Sequence, residues 1–253
     1  VAAGAVAAGA GAVAAAAAAA AAGTGRTGFG APGEPADDSA DVVIELLDVV
    51  IELLGRCPDR VADRLAYRPT LGGGLGGVGR RVEAGLDPAR RWDDIAAVAV
   101  AGAVDLTARR ASGQRIVLAP GAAAMSDSAL QIVLTHELFH LAARADTAVD
   151  APRWLTEGVA DFVARPPTPL PPDAAADPAL PGDADLDRPG PARSAAYDRS
   201  WWFARFIADE YGTDALRRLY RHACGPGHPE FLAAVAAALG IDVVGLQTRW
   251  VRW

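Results

Sequence analysis

Two histidines four residues apart, with a glutamate directly after the first, are the residues of this chain best suited to chemistry. His136-Glu137-Leu138-Phe139-His140 reads as an H-E-x-x-H pentapeptide. On an α-helix, positions i and i+4 lie on one face about one turn apart, so both imidazoles can reach one metal ion. Glu137 points near that ion without needing to bind it and can take a proton from a bound water. The chain has four His in 253 residues, so half of its imidazoles fall in this one pentapeptide. The bland alternative is a helix carrying two solvated histidines.

A catalytic zinc has three protein ligands and keeps a fourth position for water. Glu157 is the candidate for the third. It follows His140 by 17 residues, enough for the chain to turn and bring a second helix back. Asp161 comes four residues later and shares a helical face with Glu157. Its carboxylate can accept an N–H from a metal-bound imidazole and so fix the tautomer. Both acids can equally belong to a solvated acidic face.

HELFH followed by Pro152-Arg153-Trp154-Leu155-Thr156-Glu157-Gly158-Val159-Ala160-Asp161 resembles the gluzincin metallopeptidases, most of all the bacterial peptidase-MA-like family. The resemblance covers about residues 115–253 apart from a variable stretch at 165–193. It is looser toward the C-terminus, where Tyr197-Asp198-Arg199-Ser200, an aromatic run and Tyr211-Gly212 carry it. Residues 1–114 resemble no family. The resemblance implies an α+β, zincin-like fold: a small N-terminal α/β part with an edge strand, an active-site helix and a mostly helical C-terminal subdomain. It also implies one Zn2+ per chain on His136, His140 and Glu157, with Glu137 as general base and a peptide or protein as substrate. RIVLA at 115–119 occupies the position of the strand along the substrate cleft. Zinc lowers the pKa of bound water to about 7 and polarises the scissile carbonyl. Tyr197 is the first candidate for a further donor to the oxyanion, with His222 and His228 behind it. A buried Tyr serves packing just as commonly. The competing functions are a non-catalytic zincin-like binding module of the cell envelope and a metal-dependent hydrolase of another amide or ester.

The elements that must position these residues follow from periodicity and breakers. Ser126 or Asp127 can cap a helix running to about Arg144, with Leu130, Val133, Leu134, Leu138 and Leu141 on its apolar face. A second helix fits about 152–164. RIVLA at 115–119 is short, β-branched and ended by Pro120-Gly121, and so reads as a strand. Residues 95–108 are apolar and ambiguous between strand and helix. The 165–193 stretch is rich in Pro, Asp and Ala and reads as a long, mobile loop. Helices are expected over 195–223 and 229–253, separated by the breaker CGPGHP at 224–229.

Upstream the signals are weaker. DVVIELL occurs in tandem at 41–54, and its acids recur on one helical stripe. GGGLGGVG at 72–79 contains G-x-G-x-x-G but lacks the preceding buried strand of a dinucleotide site, so it reads as a surface loop. Residues 60–68 fit a strand or a short helix. Residues 41–253 are expected to form one peptidase domain behind a linker at 23–40. Residues 1–22 hold 16 Ala, three Val and three Gly, with no charge before Arg26. As a helix they are long enough to cross a bilayer, which suggests a signal peptide or membrane anchor and an extracytoplasmic protein. The alternative is an uncharged low-complexity tail on a cytoplasmic one.

Composition supplies the background. The chain has 59 Ala and 24 Arg, with neither Lys nor Asn, which fits a GC-biased genome. Ala-richness is therefore weak evidence about structure. The formal net charge of −7 argues against general nucleic-acid affinity. Two cysteines, Cys57 and Cys224, can form at most one bridge, or stay unpaired as small hydrophobes.

Overall fold

A computed structural model of the chain describes residues 95–170 and 179–253. The expected leader or anchor at 1–22, the expected linker at 23–40, the DVVIELL repeat, residues 60–68, the glycine run at 72–79 and Cys57 lie outside the described residues.

The ambiguous stretch at 95–108 forms strands. Gly102 and Asp105 cut its apolar residues into runs too short for a helix. β1 (Ala97–Val100) pairs antiparallel with β4 (Arg115–Leu118), and β2 (Ala103–Asp105) pairs antiparallel with β3 (Arg110–Ser112). Ala97 faces Leu118, Ala99 faces Ile116, and Ala103 faces Ser112. These pairs share one register, so the four strands are the two halves of a single long hairpin. The interruption falls where Gly102 opposes Gly113. Gly113 has φ +63°, which favours glycine, and a Cβ there would lie 3.3 Å from the Gly102 nitrogen, whereas a Cβ on Gly102 would make only ordinary contacts, the nearest at 3.5 Å. In the proximal half every residue of β1 is buried while β4 is only partly so, with Val117 buried and Arg115 exposed; most of the distal half is exposed. At the tip, the Asp105 carboxylate accepts from the Ala108 N–H (2.9 Å), and Arg109 adopts φ +51°.

Against β1 lies α1 (Asp127–Ala143). It starts at Ser126, whose hydroxyl accepts from the Ala129 N–H at 3.3 Å, and Asp127 in its first turn favours the positive end of the helix dipole. After a 3-10 turn at Arg144–Asp146 comes α2 (Arg153–Ala164), which packs on α1. The 165–193 stretch is not one long loop. Residues 183–186 form a short helix, α3 (Asp183–Leu186), and the next helix already begins at Pro191. Asp183 accepts from the Trp154 N–H (2.8 Å) and so caps α2 from 29 residues downstream. Arg153 answers by donating to the Asp183 carbonyl at 3.0 Å. Leu186 is buried in the core.

The two expected C-terminal helices are four. α4 (Pro191–Tyr211) ends at Gly212, whose φ of +87° starts α5 (Thr213–Cys224) in a new direction. α6 (Phe231–Leu239) ends at Gly240 in the left-handed region, and α7 (Val243–Arg252) restarts on Asp242, which accepts from the Gly245 N–H at 2.7 Å. No single helix among the described residues is long and apolar enough to cross a membrane.

The main core is formed by Phe139 of α1, Leu155 and Val159 of α2, Phe203, Phe206 and Ile207 of α4, Leu216 and Leu219 of α5, and Leu246 of α7. Helix α2 meets α4 closely at one point. A Cβ on Gly158 would lie 2.3 Å from the Ser200 carbonyl oxygen, so only glycine lets the two backbones touch there. The described part is thus a mixed α and β structure, mostly helical, with its strands antiparallel.

Candidate metal centre

The sequence expectation for the site depends on α1 and α2 bringing their polar residues together, and they do. His136, Glu137, Glu157 and Asp161 are all fully buried, while the His140 side chain keeps 10% exposure. His136 Nε2 lies 3.1 Å from His140 Nε2 and 3.1 Å from Glu157 Oε2. His140 Nε2 is 3.6 Å from the same oxygen. Four ligands about 2.0–2.1 Å from a zinc at tetrahedral angles sit about 3.3–3.4 Å from one another, so these separations suit one shared cation. His136, His140 and Glu157 form a donor set able to hold a metal ion.

The remaining atoms are consistent with that use. The other nitrogen of His136, Nδ1, lies 2.8 Å from Asp161 Oδ1. With Asp161 accepting from Nδ1–H, the neutral ring presents the lone pair of Nε2 toward His140 and Glu157. Glu157 Oε1 is buried without a hydrogen-bond partner, an unspent acceptor beside the two imidazoles. Buried carboxylates also outnumber buried guanidiniums here. Glu137, Glu157 and Asp161 face Arg144 and Arg165, which leaves a demand for positive charge.

That demand is visible in the ionisation of the site. Burial alone would discourage a charged His136, yet its hydrogen bonds to Asp161 and Glu157 raise its pKa well above the ordinary imidazole value. Burial likewise opposes a charged Glu157, but His140 and His136 hold it down at about 2. Glu137 behaves differently. Burial raises its pKa, and the two imidazoles and the Ala99 amide offset that only in part.

Glu137 is tied to the sheet. Its Oε2 accepts from the Ala99 N–H at 2.7 Å, and its Oε1 is buried with no hydrogen-bond partner. The Ala99 carbonyl in turn accepts from Arg144 Nη2 at 2.8 Å. Ala119 N–H donates to Ala96 O, so alternate β1 residues bond to β4, and Ala99 turns both its backbone groups to the free edge. One residue of that edge is therefore clamped, through the two peptide groups that flank it, by a side chain of α1 and one of its C-terminal turn. The strand meeting Glu137 is β1; RIVL forms a strand as expected, β4, and is the antiparallel partner of β1.

The further oxyanion candidates belong to the C-terminal helices and the turn between them. Tyr197 is buried in the main core on α4, within electrostatic reach of Arg153. His222 is exposed on α5, and His228 lies beyond that helix, 3.5 Å from Asp150. Cys224 is a free, fully buried thiol whose pKa is pushed up by burial. Four contributors escaped the sequence reading: Ala99, Arg144, Arg165 and Tyr220. The Tyr220 hydroxyl is 2.9 Å from Thr147 Oγ1, its ring packs edge-on against Phe139, and it lies within electrostatic range of Glu157. Spacing offered a signal for the two arginines only. Arg165 follows Asp161 by four residues, and Arg144 follows His140 by four. Compared with models of protein families, with curated proteins and with solved structures, the chain matches none.

Proposed function

We propose that this chain is a zinc-dependent metallopeptidase of the gluzincin type, with a zincin-like arrangement of strand, active-site helix and ligand-bearing second helix. The observation that carries the reading is the convergence of His136, His140 and Glu157 in one buried donor set with Glu137 beside it. The resemblance of HELFH and WLTEGVAD to the peptidase-MA-like family supports it. A zinc ion held by the three ligands supplies a water acidified to a pKa of about 7 and polarises a carbonyl.

The chain's own residues supply the rest. Glu137 has one oxygen held by the Ala99 amide and one without a bond, so Oε1 is the atom that accepts the proton and later delivers it to the leaving amine. Its raised pKa, produced by burial, suits a group that must both take up and release a proton. Asp161 orients His136 through Nδ1. Arg144 fixes the Ala99 carbonyl and with it the strand on which Glu137 rests.

The test pairs metal content with turnover. Elemental analysis should find about one zinc per chain in wild type and in Glu137→Gln, as a closed set of three ligands implies. Hydrolysis of a peptide library should be measurable in wild type and fall by about 10²–10⁴-fold in the variant. Zinc retained without hydrolysis of any peptide would favour a binding module, and failure to take up metal after reconstitution would reject the site.

A further inference from the structure

We infer that Arg165 is a positioning residue for the metal site, acting through Asp161 on the ligand His136. The inference rests on the reading of His136, His140 and Glu157 as metal ligands. Arg165 follows the last turn of α2, and its side chain is almost fully buried. Its Nη2 lies 3.0 Å from Asp161 Oδ2, and its Nη1 donates to Asp198 Oδ1 at 2.7 Å. The guanidinium sits over the Trp201 ring, 4.8 Å from the centroid. Asp198 and Trp201 both belong to α4, and Asp198 is 33% exposed. A continuous chain of charged contacts thus runs from solvent, through Asp198, Arg165 and Asp161, to His136.

The geometry assigns each link a task. A carboxylate bonded through one oxygen can still turn about its Cβ–Cγ bond. Asp161 is hydrogen-bonded through Oδ1 at His136, while Oδ2 is paired with Arg165 at 3.0 Å by charge, without an aligned hydrogen bond, so the guanidinium restrains the carboxylate electrostatically. The imidazole of His136 takes its orientation from that carboxylate, and its Nε2 then meets His140 and Glu157. The planar guanidinium can serve two carboxylates at once while stacked on an indole, which an ammonium cannot do. A buried ion pair is costly to desolvate and is poor evidence of stability alone. Its placement one residue contact behind a metal ligand gives it a use that an apolar pair would not fill.

The full chain is titrated with Zn2+ against a competing chelator, as wild type, R165Q, R165K and D198N, and each is also loaded with Co2+. Wild type should bind one ion. R165Q should bind zinc about 10–100-fold more weakly, the usual range for loss of an outer-shell partner, and its Co2+ visible absorption bands should shift. R165K keeps the charge but reaches one carboxylate at a time, and should recover part of the affinity. Zinc affinity and Co2+ bands in R165Q equal to those of wild type would overturn the inference while leaving the metal site standing. Should R165Q fail to fold, D198N decides: it removes only the outer anchor and should weaken zinc beyond the scatter of wild-type replicates, and unchanged binding there overturns the inference. Absence of metal from wild type itself would instead remove the reading on which it rests.

Discussion

Gly158→Ala sets two physical effects against each other. Alanine is the better helix residue by about 1 kcal/mol, so helix propensity alone predicts a more stable protein. The structure predicts the opposite. The added methyl would lie 2.3 Å from the Ser200 carbonyl oxygen and 2.6 Å from its carbon. The obstacle is the backbone of α4, not the end of a flexible side chain, so α2 and α4 must separate along their contact. Overpacking of this kind costs about 1–3 kcal/mol, and an immovable neighbour places it near the upper end. After subtraction of the propensity gain, a net loss of about 2 kcal/mol remains. For a protein of this size each kcal/mol moves Tm by about 2–4 °C, so the expected drop is about 4–8 °C. Thermal and urea denaturation of the metal-free chain measure it. Glu157 precedes Gly158, so the shift should also weaken zinc binding in the same titration. A Gly158→Ala chain as stable as wild type, or more so, would refute the close approach of α2 to α4.

Three other outcomes follow. Arg144→Gln removes the charged donor to the Ala99 carbonyl and should cost about 1.5–3 kcal/mol in denaturation, with zinc content kept and hydrolysis reduced. Stripping metal with a chelator should lower Tm, and zinc at 100 times its Kd should restore about 2.7 kcal/mol; a Tm indifferent to zinc would argue against binding to the folded state. The Cys224 thiol, buried and with its pKa raised by that burial, should resist alkylation in the native chain and react on unfolding, as mass mapping of its peptide would show. Rapid native labelling would contradict its placement.

The parts of the site that sequence makes legible are those whose geometry is local. His136 and His140 share a face because a helix turns every 3.6 residues, and Asp161 stands one turn beyond Glu157 for the same reason. The clamp on Ala99 could not be read this way, since it joins residues 38 and 45 positions apart. The arginines were hidden for another reason. In a chain with 24 Arg and no Lys, a guanidinium that grips two carboxylates looks like any surface charge. The same composition concealed the breaks at Gly212 and Gly240, since 27 glycines make any one of them a poor signal. Asp183 capping α2 across 29 residues turned an apparent loop into part of the fold, and no local pattern announces such a cap.

The long hairpin has a consequence for how this protein can be handled. Its two halves keep one register across Gly102 and Gly113, yet they are held by different means. In the inner half β1 is buried and bolted to α1 at Ala99, whereas the outer half reaches the body through the Arg109–Asp146 ion pair at 2.6 Å. The glycine pair therefore acts as a natural splice point. Residues 103–108 and 110–112 can be tested for exchange with a tag or a fluorophore-bearing turn, with Arg109 kept as the partner of the largely buried Asp146, and the inner strands should keep their alignment. A reporter grafted there would sit on the same strand pair as the proposed base while leaving its clamp untouched.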